Sequence, residues 1–212
     1  GVIDLGQMAV DGTVALTTNG NGAATIVNDA GLNFTTSTVT GALSATATTG
    51  DITDSGNLTI TGAATFITGV DESNIVLDSS GNAFSSSVEM RADAGGEDFG
   101  NITFVDSAGI DFATSAGSNG DLYINSSTDG TVGGNLSVTA TTGNITDTVA
   151  VVTTGSSTSS FTTSATNGTI TLNTPASLAG AVTLSTTGAS GNATIDNGTT
   201  ALNIAASSIG GN

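Results

Sequence analysis

Acidic and amide side chains are the groups in this sequence best suited to chemistry, and they recur at fixed places. Asp51 and Asp54 end the run Thr48-Thr-Gly-Asp-Ile-Thr-Asp54, and Asn144 and Asp147 end its near copy Thr141-Thr-Gly-Asn-Ile-Thr-Asp147. Corners rich in such oxygens can hold Ca²⁺. The densest acidic patches, Asp71-Glu72 and Glu97-Asp98, complete the candidate metal set: Asp51, Asp54, Asn144, Asp147, Asp71, Glu72, Glu97 and Asp98. Calcium is the one cofactor they suggest. The glycine-rich nonapeptide of calcium-binding β-rolls is absent, and Asp and Asn also serve simply to close turns. The two patches lie near Arg91 in the least repetitive stretch, roughly Val70 to Gly100, where irregular loops could carry binding. Paired carboxylates can hydrolyse glycosides. With one Arg, one Tyr and no Trp to hold a substrate, however, the expectation is a protein that is not an enzyme.

Composition narrows the classes further. The net charge is −17, from 18 acidic residues against Arg91 alone. Nothing here can neutralise phosphates, which argues against nucleic acid as a partner and against anionic membrane surfaces. His and Cys are both absent, which removes imidazole and thiol chemistry, disulfides and the usual zinc sites. No apolar run is long enough to insert into a membrane as a helix. No signal peptide is visible at Gly1, so an export signal is expected outside this sequence. Thr-X-Thr runs such as Thr46-Ala-Thr48 and Thr139-Ala-Thr141 resemble the flat Thr arrays of ice-binding solenoids. Their ranks look broken by Ser, Asp and Gly, and the plain expectation is outward strand threonine. Nine Asn-X-Ser/Thr sequons, from Asn33 to Asn197, are what chance and turn chemistry supply in so Asn- and Thr-rich a chain.

The elements that must position these residues are short strands. Apolar residues alternate at Ile3/Leu5, Val14/Leu16, Ala24/Ile26, Leu32/Phe34, Leu43/Ala45, Leu58/Ile60, Ile75/Leu77, Val88/Met90 and Ile102/Phe104. The pattern continues through Ile110/Phe112, Leu122/Ile124, Leu136/Val138, Ile170/Leu172 and Val182/Leu184 to Leu202/Ile204. This is the period of an extended chain. Asn-Gly, Thr-Gly, Ser-Gly and Gly-Gly pairs punctuate it as turns. No window shows helical spacing.

The strands repeat. Residues 134–148 match 41–55 at most positions, 93 residues apart, and residues 168–204 match 1–34 at an offset drifting from 167 to 170. A shorter middle copy runs from Gly100 to Ile124, and Leu32-Asn-Phe, Leu122-Tyr-Ile and Leu202-Asn-Ile begin matching segments. Both ends of the sequence fall inside repeats. The expectation is one continuous solenoid over 1–212, with a unit of about 1–167 and the next starting at 168, belonging to a longer chain or fibre. Repeats of uneven length, modest β-branched inward residues and small turn residues favour stacked coils over a sandwich. At roughly 20–30 residues per coil this gives about 7–10 coils and a rod of about 35–50 Å.

The carrying stretches Gly-Asn-Leu-Ser-Val-Thr-Ala-Thr-Thr-Gly-Asn-Ile-Thr-Asp (134–147), its copy at 41–54, and Ser55-Gly-Asn-Leu-Thr-Ile-Thr-Gly62 resemble the repeat regions of filamentous-haemagglutinin-like exoproteins and related giant bacterial adhesins. The resemblance is one of composition and rhythm. It implies an all-β, right-handed parallel β-helix (β-solenoid) at the cell surface or outside the cell. The expected role is structural: a stiff rod in a fibre, surface layer or adhesin stalk, self-associating end to end. The alternative is an adhesin module that binds surface glycans through residues 70–100.

Overall fold

The alternation places one side chain of every two inside, and turns of small residues let successive coils lie directly on one another. The computed structural model describes residues 1–92, 100–113, 121–124 and 131–212. It is an all-β solenoid of about eight turns, with no helix among the described residues. Two sheets run through the stack. The first has ten strands in the order Ile3–Met8, Ala24–Asn28, Leu43–Ala47, Ala64–Thr68, Val88–Arg91, Asp121–Ile124, Ile110–Phe112, Ile145–Asp147, Ile170–Leu172 and Ala193–Ile195. The second has nine: Thr13–Val14, Leu32–Phe34, Ile52–Asp54, Ile75–Leu77, Ile102–Asp106, Leu136–Ala140, Ser159–Thr166, Ala181–Thr187 and Asn203–Ile204. A third side carries two separate three-stranded sheets, Ser37–Val39 with Leu58–Ile60 and Ala83–Phe84, and Thr131–Val132 with Val152–Thr153 and Ser177–Leu178. The pairings within these sheets are parallel, as winding in one sense requires. Nine to ten layers at about 4.8 Å give a stack of roughly 38–43 Å.

Turn length is elastic. The stacked partner lies 19 residues on at Ala24↔Leu43, 27 at Ile75↔Ile102 and 34 at Ile102↔Leu136. The surplus is taken up at corners, where a loop costs little. One corner shows the opposite extreme. Gly62 donates its N–H to the Gly41 carbonyl at 3.0 Å, and a Cβ on Gly62 would sit 2.5 Å from the Gly41 carbonyl carbon. Only glycine lets the backbones approach so closely there.

The core is one continuous column. All the alternating apolar pairs named above are buried except the first and the last. Leu5 is 37 % exposed, and Leu202 and Ile204 are 41 % and 48 % exposed, because an end turn has a neighbour on one side only. Aromatic rings climb through the column from side to side. Phe34 meets Phe66 edge-on at 6.4 Å, Phe66 meets Phe84 at 6.1 Å, and Phe84 meets Phe104 at 5.2 Å. Phe112 and Phe161 make a separate pair at 5.9 Å.

The sequence copies do not all keep their places. Leu43–Ala47 lies on the ten-stranded sheet and Ile52–Asp54 on the nine-stranded one. Their counterparts Leu136–Ala140 and Ile145–Asp147 lie the other way round. Leu122–Ile124 likewise sits on the ten-stranded sheet, whereas Leu32–Phe34 and Asn203–Ile204 sit on the nine-stranded one. The exchange falls where Asp121–Ile124 inserts between Val88–Arg91 and Ile110–Phe112, out of chain order. A period of two tells a strand which face to bury, and leaves open which sheet it joins.

Candidate functional site

Four of the sequence candidates, Asp51, Asp54, Asn144 and Asp147, sit at the corners where strands begin and end, and there they bond one turn to the next. Asp51 precedes Ile52–Asp54. Its Oδ1 accepts the backbone N–H of Asn74 at 2.7 Å and the Asn74 side-chain amide at 3.2 Å. Asn144 does the equivalent job: its Oδ1 accepts the Thr169 N–H at 2.9 Å. Asp54 accepts N–H groups of Asp78 (2.9 Å) and Ser79 (3.3 Å) just past the next turn's strand. Asp147 accepts those of Asn173 (2.8 Å) and Thr174 (3.0 Å) just past its own next strand. The twin residues therefore keep the same hydrogen bonds although their strands have exchanged sheets.

Asp51 is the foot of a ladder. The Asn101 N–H and side-chain amide both donate to Asn74 Oδ1 at 2.8 Å. The Asn135 N–H donates to Asn101 Oδ1 at 2.8 Å, and the Thr158 N–H to Asn135 Oδ1 at 2.8 Å. Each rung satisfies an amide that enters the nine-stranded sheet at a corner, the same stacking that asparagine adopts in cross-β structures. Asn101→Ala removes two of these hydrogen bonds, the one its amide donates to Asn74 and the one its Oδ1 accepts from the Asn135 N–H, and a loss of roughly 1–2 kcal/mol is expected, read as a lower thermal midpoint than in Asn57→Ala, whose side chain lies at another corner.

Three buried asparagines that the sequence reading did not single out do similar work inside. Asn28 Oδ1 accepts the Val10 N–H at 2.9 Å, and its amide donates to the carbonyls of Val10 (3.0 Å) and Gly31 (2.8 Å). Asn197 accepts from the Leu178 N–H at 2.8 Å and donates to the Leu178 and Thr200 carbonyls. Asn82 accepts the Leu58 N–H at 2.8 Å and donates to Asp54 Oδ2 at 2.6 Å. In each case the side chain stands in for a peptide group where the strand ladder has stopped. A strand ending in Asn, as in Thr25-Ile-Val-Asn28, was the available signal. Asn197 is also a sequon, but its side chain is spent inside the protein.

Burial sets the electrostatics. Desolvation raises the carboxyl groups of Asp54, Asp106 and Asp147 above the ordinary 3.8, and the hydrogen bonds they accept pull the other way. For Asp106 the largest opposing influence is the Phe84 N–H at 3.2 Å, followed by the backbone amides of Ala108 and Ser107. Asp71 and Glu72 are exposed in the link between Ala64–Thr68 and Ile75–Leu77, where Glu72 takes a positive φ of 59°. Gly100, just before the next strand up, packs on the Ser73 carbonyl. Glu97 and Asp98 lie outside the described residues. Arg91 pairs with Glu89 at 3.0 Å.

The described candidate acids are thus distributed along the stack. Among the described residues, no three acidic side chains converge on one point. An open corner groove of about 370 Å³ does bring Asp11, Asn33 and Asp51 to one lining, and Asn33 Oδ1 is buried there without a hydrogen-bond partner.

A family model described as repeats of unknown function (DUF5649) matches residues 21–91, about a third of the chain. The match begins at the corner before Ala24–Asn28 and ends with Val88–Arg91, so it spans the regular turns below the exchange of sheets. Neither the curated proteins nor the solved structures include a match. The similarity and the fold together define a repeat β-solenoid.

Proposed function

We propose that this solenoid is a structural segment of a secreted, cell-surface assembly: a fibre, a surface layer or the stalk of a filamentous-haemagglutinin-like adhesin. One observation supports the reading above the others. The two long sheets are parallel from first strand to last, and the terminal strands Ile3–Met8 and Ala193–Ile195 each pair on one edge within the chain. A free parallel edge is a template for another strand, so a further turn, from the same chain or from another copy, extends both sheets without a change of geometry. In this reading the protein is not an enzyme. Its work is to transmit load along backbone hydrogen bonds, while its negative charge keeps neighbouring rods apart sideways. Divalent ions would act between rods, through exposed carboxylates such as Asp71 and Glu72.

Electron microscopy of the purified chain, in calcium and then in EDTA, tests this. Continuous thin filaments with a layer repeat near 4.8 Å are expected in both conditions, with side-by-side bundles in calcium alone. Separate short particles under both conditions would sink the fibre reading. A second reading has its own observation: the link at 69–74 presents exposed Val70, Asp71 and Glu72 on one corner. Glycan-array binding lost in Asp71→Asn/Glu72→Gln, with no filaments, would establish that adhesin module instead.

A further inference from the structure

We propose that the outer surface of the nine-stranded sheet binds ice, over the four strands Ile102–Asp106, Leu136–Ala140, Ser159–Thr166 and Ala181–Thr187. Stacking brings two ranks of outward residues together on this face. Thr103 lies beside Ser137, Ser137 beside Ser160, and Ser160 beside Thr183. Two residues further along the same strands, Val105, Thr139, Thr162 and Ser185 form a second rank. All eight point outward and are half-buried, between inward neighbours such as Phe104, Val138, Phe161 and Leu184. Asp106, which ends the first of these strands, faces the core. Serine stands in three of the eight places and keeps the hydroxyl, and Val105 alone lacks one.

The result is a rectangular net. Neighbouring layers are about 4.8 Å apart, and positions two residues apart along a strand are about 6.6 Å apart. Water oxygens on the prism face of hexagonal ice form a rectangular net with two spacings of the same order. Seven of the eight side chains carry a hydroxyl, and among the described residues none of the seven makes a side-chain hydrogen bond. Threonines elsewhere do: Thr48 donates to the Asn28 carbonyl and Thr163 to the Gly143 carbonyl. The net therefore keeps its donors and acceptors for water. Thr103, Thr139, Thr162 and Thr183 also bring methyl groups to this face, and apolar groups leave the adjacent water bonded to itself.

Charge points the same way. The outward positions of the nine-stranded sheet, from Thr13 through Asn33, Thr53 and Val76 to Asn203, include no charged residue, in a chain with 18 acids. The ten-stranded sheet carries Asp4, Glu89, Arg91 and Asp111 on its strands. A carboxylate would orient its own hydration shell and spoil the match. The neutral face has no aromatic ring for a sugar to stack on, which disfavours a flat polysaccharide as its ligand.

The test is thermal hysteresis and ice-crystal shaping by the 212-residue chain. Thr139→Tyr and Thr162→Tyr would be compared with Thr46→Tyr on the ten-stranded sheet, and thermal unfolding would confirm that each variant is folded. Faceted crystals and a freezing gap are expected for the unmodified chain and for Thr46→Tyr, with both lost in the two face variants. Round crystals with no gap for the unmodified chain would overturn the proposal. So would activity kept in both face variants, equal loss in Thr46→Tyr, or binding to insoluble cellulose or chitin in the absence of any ice activity.

Discussion

Phe66→Ala is expected to cost about 4–5 kcal/mol, the largest loss of any single truncation in the core. The ring is fully buried on the ten-stranded sheet. Emptying a site of that size costs about 3–5 kcal/mol when the surroundings cannot collapse, and here they cannot. The backbone above and below is fixed by its own ladder, with Phe66 in register with Ala45 on one side and Met90 on the other. Ala45 is too small to fill the gap. The change also removes two edge-on contacts, with Phe34 and Phe84, each worth about 0.5–1.5 kcal/mol. Urea unfolding should show the midpoint falling at an unchanged slope. A shift equivalent to less than about 1 kcal/mol would mean that the rings are independent fillers and that no aromatic column couples the lower turns.

The column itself shows what a sequence does and does not carry. Phe34, Phe66, Phe84 and Phe104 are all inward-facing by their neighbours' alternation. That they meet depends on stacking order: they come from the nine-stranded sheet, the ten-stranded sheet, the third side and the nine-stranded sheet again. The alternation of Leu32/Phe34 or Ile102/Phe104 was legible because burying one face is a local decision. The exchange of sheets between Leu43–Ala47 and Leu136–Ala140 was not legible, because two nearly identical strings are equally content on either sheet. What decides between them is the strand already lying beneath, a contact 34 residues away for Leu136.

The corners divide in the same way. Asp51, Asp54, Asn144 and Asp147 stood out because they repeat, and the two pairs do make the same hydrogen bonds, at the ends of strands on different sheets. Their partners, the backbone amides of residues 74, 78, 169 and 173, lie one turn up and could not be identified without the turn length, which varies. Asn28 and Asn197 are also copies, in Ala24-Thr-Ile-Val-Asn28 and Ala193-Thr-Ile-Asp-Asn197, but what each repairs is a gap in the ladder of a neighbouring turn, which the string alone does not show.

Asn82 is the place where corner and core meet, and Asn82→Leu is expected to cost about 3–4 kcal/mol at neutral pH. The substitution orphans the buried Leu58 N–H and strips Asp54 Oδ2 of its shortest donor. An unsatisfied buried amide costs about 1–3 kcal/mol, and a charged group that loses its partner costs more. The loss should depend on pH. Burial already raises the Asp54 carboxyl above 3.8, and the Asn82 amide is the largest influence holding it down. A group whose folded value is raised binds more protons folded than unfolded, so stability falls as pH rises. The penalty is absent below 3.8, grows as pH climbs through that value, and is complete above the folded value. Asp106 and Asp147 are shifted the same way, and protonation also relieves a net charge of −17. The unmodified chain should therefore melt at a higher temperature near pH 4 than at pH 7, the reverse of ordinary acid denaturation. Asn82→Leu should steepen that slope, because the carboxylate loses its compensation and the neutral acid does not need it. Melting curves across this range decide the matter. A chain that loses stability on acidification, with Asn82→Leu running parallel to it, would mean that Asp54 is held as a well-solvated carboxylate and that its bond to Asn82 carries little of the corner's stability.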